Sequence, residues 1–553
     1  MSAKTENILI QIGIAIAAAL FFIPGIGSVH LFDWDEINFA ESAREMITSG
    51  NYLTVQINFE QFWEKPPLFI WMQVVSMKLF GINEFAARIP DAICGIITLL
   101  VLYNIGSKIR DRRFGLLWTM LYACSLLPFM YFKSGIIDPW FNLFIFLGTY
   151  YFIVFTDPGN SKNINIKLVA SAFFLGLAIL TKGPVGLLIF CLTFGVYLIT
   201  NNFKLNFKWH QAILFLIILG LTGGFWFILQ IIDGNFSIIQ DFIIYQIRLF
   251  ETKDAGHGGF PLYHFVILLI GVFPASILSL PAFNYKITKT EKDASFKRFY
   301  KWMMILFWVV LILFSIVRTK IIHYSSMCYF PLTFIAAFAC ERYINGKMVM
   351  PKYVKILLII IACLLGLAVA LVTQFDNFKH LLYPYILDEF AIGNMQASAT
   401  WYGFEFAFSI ILIIGVVWMC IKSNKILSYK NLCIMCASCI IFIYSALVFI
   451  VPQVEKYSQA AAIEFYESKK AEDCYIYLPY FKSYAQYFYS DRQIKNKNAD
   501  ASYLMHGQLD KDCYFVLKDI SSEISIFESE VKDAKLINKK NGFAFYVRKL
   551  QID

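Results

Sequence analysis

Charge is scarce in this 553-residue chain: Asp, Glu, Lys and Arg make up 16% of it, whereas 58% is hydrophobic and 18% aromatic. Soluble domains carry about 25% charged residues, so an ordinary water-soluble fold is excluded and membrane spans of about 20 apolar residues are expected. No P-loop or Rossmann glycine fingerprint occurs, so no nucleotide is called for. No internal repeat is visible, in contrast to the two-halved build of many transporters. The net charge of +9 does not require nucleic acid, because Lys and Arg sit in short loops where orientation signals belong.

About thirteen candidate spans are read from apolar runs of this length: near 8–27, 92–108, 115–132, 138–155, 167–181, 184–200, 211–231, 263–282, 302–317, 322–340, 354–373, 403–421 and 432–451. The first is read as an uncleaved span, since no small-residue cleavage site follows it. Basic loops alternate with the others: Lys108 to Arg113, Lys204 and Lys208, Lys286 to Lys301, Lys347 to Lys355, and Lys422 to Lys430. The positive-inside rule makes these cytoplasmic. The remaining loops (28–91, 133–138, 181–184, 232–262, 318–324 and 374–402) and everything after Val451 then face outward. Almost every unusual polar cluster falls on that one face.

The expected division is a membrane domain over 1–452 and a small extracytoplasmic α/β domain over 453–553. The latter is suggested by helical stretches 455–469 and 482–489 and by alternating runs such as "CYIYLPY", "CYFVLK" and "GFAFYVRKL". Of the 12 cysteines, all but Cys474 and Cys513 lie in or beside apolar runs. Cys433, Cys436 and Cys439 have a CxxCxxC spacing that within a span favours packing over metal binding. Cys474 and Cys513 each open a strand-like run, and a disulfide and two separate thiols stand as equal readings.

The most informative stretch is "HLFDWDEINFAESAREM", residues 30–46. One reading is capping: Asp33 at the N-cap and Glu36 three residues on, before an interfacial helix whose apolar face is Phe39, Ala40, Ala43, Met46 and Ile47. Asp35 is left over, a third carboxylate with no orphan N–H of its own to satisfy. Further outward clusters follow. "FWEKPPL" sets Glu64 and Lys65 before a helix over 68–80, "KSGIIDPWFNLF" brings Lys133 and Asp138, and "TKGP" places Lys182 in a tight turn. Taken singly, Glu64 and Lys65 read as a surface ion pair, Asp138 as an N-cap and Lys182 as a snorkelling anchor.

In order, "DEINFAESAREM", "EKPPL", "EFAARIP", "IIDP", "TKGP", "HGGFPLYHFVILLIGVFPAS" and "KIIHYSSMCYFPL" resemble the GT-C glycosyltransferases. The resemblance is to the bacterial aminoarabinose (lipid A) transferase branch of the protein-mannosyltransferase-like superfamily, motif by motif over residues 5 to 345. It implies a polytopic helical enzyme in the bacterial cytoplasmic membrane. Such an enzyme moves a sugar (aminoarabinose, mannose or another pentose or hexose) from a polyprenyl-phosphate donor to lipid A, a protein or a glycan outside. Carried over, it makes Asp35 and Asp138 the catalytic acids, with Glu36 beside them. Lys65, Arg248, Lys133, Lys182 and Tyr324 become donor-phosphate contacts. Glu64 and His257 become ligands of a divalent metal (Zn, Mg or Mn). The sequence departs from the family at Asn38, where an arginine is usual; Arg248, Lys133 or Lys182 are the candidates to replace it. A transporter is the rival reading, but its ionisable residues would sit near the membrane midplane.

Overall fold

A computed structural model of the chain describes residues 2–157, 164–204, 207–251, 258–284, 287, 291–423, 426–470, 472–493 and 500–550. Among the described residues, seven helices are long and apolar enough to cross a membrane, or up to nine if each of two bent pairs is one span. The protein is a multi-pass membrane protein of helical build. The count falls short of the expected thirteen because apolar runs do not reveal where helices break. The run over 115–132 is two helices, Arg112–Ala123 and Leu126–Tyr131. The run over 211–231 bends by 58° between Trp209–Gly223 and Phe225–Ile232, and the run over 263–282 bends by 105° at Val272 to Pro274. Proline at that corner removes an N–H that a continuous helix would need. The runs over 184–200 and 403–421 form the shorter apolar helices Val185–Thr200 and Phe406–Lys422.

Before the 26-residue helix Glu84–Ile109, the first long loop folds into two helices, Asp35–Ser49 and Leu68–Phe80, with a small hairpin between them (Gln56–Ile57 paired with Glu60–Gln61). Pro67 caps the second helix, as the double proline suggested. The first helix departs from expectation. It begins at Asp35 with Trp34 as N-cap, and no side chain caps it. Asp33 bonds the Trp34 N–H instead, at 3.0 Å. Nor does its apolar face lie on lipid. Phe39, Ala40, Ala43 and Met46 are all within 2% of full burial, and so are Glu41 and Arg44 on other faces.

The cover over that helix comes from the C-terminal region. Its four-stranded sheet has the order Tyr475–Tyr477, Cys513–Lys518, Phe543–Arg548, Lys535–Lys540, the first pair parallel and the others antiparallel. One side of the sheet packs with Phe527 and Val531 in a core of its own. The other side, through Ile476, Val516 and Phe545, shares a core with Leu31, Ile37, Phe39 and Met46. Residues 453–553 and the first loop therefore fold against each other. Backbone bonds reinforce the join: the Leu31 N–H donates to the Tyr489 hydroxyl at 2.7 Å, and Gln459 Nε2 donates to the Leu31 carbonyl at 3.1 Å. Cys474, one residue before the strand Tyr475–Tyr477, and Cys513, the first residue of the strand beside it, are both buried and form no disulfide.

Candidate functional site

A cavity of about 410 Å³ opens where these elements meet. Asp35 reaches it from the first turn of its helix, Glu64 and Lys65 from the segment before Pro66, and Asp138 from the first residue of helix Asp138–Phe155. Lys182 comes from the last residue of helix Ile164–Lys182, and Arg248 from helix Phe236–Glu251. Tyr324 belongs to a 3-10 turn, Ile322–Cys328, where the sequence suggested the start of a regular span. Six separate stretches of chain thus send polar side chains to one place.

The internal geometry is specific. Lys182 Nζ lies 2.8 and 2.9 Å from the two oxygens of Asp138, so neither residue plays the capping or anchoring part that its local sequence allowed. Helix Asp138–Phe155 is capped by Ile137, without a side-chain bond. The turn that aims Lys182 needs glycine. Gly183 has φ +89°, and a Cβ there would meet Phe242 Cζ at 2.7 Å. Lys65 and Arg248 both sit over the ring of Tyr245, at 5.1 and 5.2 Å from its centroid, and the Tyr245 hydroxyl donates to Glu64 at 3.3 Å. Desolvation holds Lys65 below the ordinary lysine pKa, although Glu64, Asp35 and Asp138 pull the other way. An anion entering beside it would pull in the same direction as those carboxylates. Trp34, at φ 76°, presents a half-exposed ring to the same cavity, and a non-glycine residue in that backbone region is strained.

Two expected site residues are placed elsewhere. Glu36 points away from the cavity and is buried. It accepts from Arg88 at 2.9 and 2.7 Å and from the N–H groups of Gly135 and Phe32 at 2.6 and 2.9 Å. Burial alone would raise its pKa, yet Arg88 and these bonds hold it below the usual glutamate value. All these partners lie within the fold, and Glu36 is not among the cavity's lining residues. Lys133 gives its ammonium to the carbonyls of Phe21, Phe22 and Pro24, at 3.2, 3.4 and 2.5 Å. There it closes the C-terminal end of the first helix, where a cation suits the orphan carbonyls. It is not among the cavity's lining residues.

Of the expected metal ligands, Glu64 lines the cavity and His257 lies outside the described residues. Among the described residues no group of three or more His, Cys, Asp or Glu is placed to hold a metal. Cys436 and Cys439 are buried in packing, and Cys433 is exposed. Asn38 lines the cavity with its Oδ1 buried and unbonded. Among the cavity residues that sequence did not single out are Trp34, Tyr245, His323, whose Nδ1 is 3.5 Å from Asp35 Oδ2, and Lys482 from the C-terminal region. His323 stands next to Tyr324 in a motif already quoted, and that adjacency was the available signal.

Residues 64–226 match the family model described as dolichyl-phosphate-mannose-protein mannosyltransferase. An undecaprenyl phosphate-alpha-4-amino-4-deoxy-L-arabinose arabinosyl transferase of Proteus mirabilis is 25% identical over 58% of this chain and 57% of its own. The same-named transferase of Shewanella sediminis is 25% identical over 59% of this chain and 60% of its own. Each match thus spans less than two thirds of the relative. The crystal structure of ArnT from Cupriavidus metallidurans bound to undecaprenyl phosphate superposes with TM-score 0.76 over 100% of both chains, at 16% identity. The chain is therefore similar to polyprenyl-phosphate-dependent glycosyltransferases over part of its length, and it shares the fold of the ArnT structure.

Proposed function

We propose that the protein transfers a sugar from a polyprenyl-phosphate donor to an acceptor on the extracytoplasmic face of the bacterial cytoplasmic membrane. The observation that carries this reading is the cavity itself, in which the cations Lys65, Lys182 and Arg248 converge with the carboxylates Asp35 and Asp138. As the anomeric bond breaks, negative charge gathers on the departing phosphate. Lys65 and Arg248, side by side over Tyr245, are preorganised to stabilise it before it forms. Tyr324 supplies a hydroxyl in the same lining. Lys182 is held by Asp138, so that pair sets the position of a charge rather than adding a loose one. Asp35, its side chain 41% exposed, stands at the reacting centre and orients the acceptor.

A single displacement with inversion fits one carboxylate on the acceptor side and cations on the leaving-group side. Glu64 with His257 would hold the divalent ion that the family resemblance suggests, and no step is derived through it. The outward orientation is supported by the alternation of basic loops, which puts the cavity on the side away from them. The printed names of the relatives favour undecaprenyl phosphate as carrier and an amino sugar as cargo; lipid A, a glycan or a protein is the acceptor. The transporter reading lacks a counterpart to this one-sided group of acids and bases. The test is mass spectrometry of lipid A and surface glycans with and without the gene, together with purified protein and a polyprenyl-phosphate sugar. Release of polyprenyl phosphate coupled to a sugar-sized mass gain on the acceptor is expected. No gain on any of them would overturn the proposal.

A further inference from the structure

The cavity contains one side chain whose ordinary pKa suits proton uptake near neutrality, and the mechanism so far gives it no work. His323 lines the cavity in the 3-10 turn Ile322–Cys328, its side chain only 14% exposed. Its backbone is pinned, since the Ser326 hydroxyl donates to the His323 carbonyl at 2.5 Å. Ser326 in turn accepts from Asn142 Nδ2 at 2.8 Å. Its ring is set against Tyr324, with centroids 5.4 Å apart. Its Nδ1 faces Asp35 Oδ2 at 3.5 Å, a separation of the kind that tightens when a substrate fills a site.

The charged groups around this ring are Asp35, Asp138, Lys65 and Lys182, and the titratable His264 faces it from the helix behind. Arg248 shares the cavity. Asp138 is bonded to Lys182, so Asp35 is the acid turned towards the imidazole. Once that 3.5 Å gap closes to a hydrogen bond, the aspartate holds the proton on Nδ1 and leaves the Nε2 lone pair to a ligand. A free aspartate, with a pKa of about 3.9, is a poor base for a hydroxyl, whereas imidazole, at about 6.5, is well matched. A phosphate nucleophile is already anionic and needs no base.

Resting on the transfer reaction above, we propose that His323, oriented by Asp35, is the base that deprotonates the acceptor, and that the acceptor nucleophile is a neutral hydroxyl. In the step, the acceptor oxygen forms a bond to the anomeric carbon. The bond from that carbon to the phosphate oxygen breaks, and its electron pair stays on the phosphate. The hydroxyl proton passes to His323 Nε2 and then to water.

The experiment uses purified full-length protein, a polyprenyl-phosphate sugar and the acceptor that gains mass. The wild-type product should be a glycoside that survives mild acid, whereas a glycosyl phosphate would be cleaved. Desolvation holds the buried His323 below the ordinary imidazole pKa, although Asp138 and Asp35 pull the other way, so the wild-type rate should fall about tenfold per pH unit below that lowered value. H323Q should lose about 10²-fold in kcat, with the donor KM within about twofold, and should lose that acid limb. Imidazole added to H323A should recover activity in proportion to its neutral form. A merely structural histidine would give neither the rescue nor the missing limb. A mild-acid-labile product, an H323Q rate within about threefold of wild type, or an unchanged acid limb would overturn the proposal while leaving the transferase reading standing. A wild type that releases no polyprenyl phosphate from its donor would overturn both. The product linkage and the wild-type pH profile decide even if the variants unfold.

Discussion

Arg110, just past the end of helix Glu84–Ile109, is held between Glu291 and Glu341 at 3.0 and 2.9 Å. Near the other end of that helix, Lys65, Lys182 and Arg248 share a cavity with Asp35 and Asp138. The two regions gather similar charges and differ in what the charges face. Around Arg110 they face each other and draw three stretches of chain together. Around the cavity Lys182 and Asp138 pair with each other, and together with Lys65, Arg248 and Asp35 they line a volume that a ligand of opposite and mixed charge would fill. The same contrast recurs across a single peptide bond. Glu36 has its oxygens in Arg88 and backbone N–H groups, and Asp35 has its side chain half in the cavity. Carboxylates satisfied inside the fold hold structure, and carboxylates left facing space do chemistry.

The largest effect should come from opening the Glu36–Arg88 clamp. Glu36→Gln leaves a buried guanidinium without its counter-charge and should cost about 3–5 kcal/mol of stability. The loss should be visible as a lowered detergent-solubilised Tm, with residual activity following the folded fraction. Because Glu36 is held below its ordinary pKa of 4.5, the pair contributes fully above that value and is lost as pH falls through the lower folded one. A stable Glu36→Gln protein that has lost only its kcat would return Glu36 to the catalytic group. Asp35→Asn should do the reverse: Tm within about 1 °C of wild type, and transfer cut by about 10²-fold or more. If Asp35→Asn instead unfolds, or transfers normally, the contrast between the two neighbours collapses.

How much of this was legible in the sequence follows from the same distinction. The cavity residues Asp35, Lys65, Asp138 and Lys182 are each recognisable in a local motif, whereas Arg248 stands in none and was named as a substitute for the arginine missing at Asn38. Glu36 and Lys133 sit in equally good motifs, but their partners, Arg88 and the carbonyls of Phe21 to Pro24, are distant in sequence. Spacing says which residues are polar neighbours, not which direction each side chain takes. The strand Lys535–Lys540 is invisible for another reason. It is an edge strand with every residue exposed, so no alternation marks it. Helix Asp35–Ser49 looked interfacial because its apolar face was legible and the C-terminal region covering it was not.

A smaller effect is expected for Lys65. Lys65→Ala removes a charge-assisted contact of about 1.5–3 kcal/mol, or roughly 10- to 150-fold, read as weaker donor binding. Lys65 is held below the ordinary lysine value of 10.5. Donor affinity in the wild type should therefore decline as pH rises through that lowered value, earlier than for an exposed lysine, and Lys65→Arg should move the decline to higher pH. An affinity flat across the alkaline range in both proteins would make Lys65 a packing residue of the Tyr245 ring.

The smallest effect belongs to the far cluster and is the sharpest check on the comparison. Arg110 uses Nε towards Glu341 and Nη1 towards Glu291, a fork that one ammonium cannot reproduce. Arg110→Lys keeps the positive charge, so neither glutamate is abandoned to a wholly uncompensated burial, and one of the two bonds is lost. The expected cost is about 1 kcal/mol, the usual worth of one such bond at a partly exposed site. Since these side chains face one another and not the cavity, kcat and the donor KM should stay within about twofold. A tenfold drop in transfer at an unchanged Tm would mean that the closed cluster communicates with the open one. Facing inward would then no longer separate structural charge from catalytic charge in this molecule.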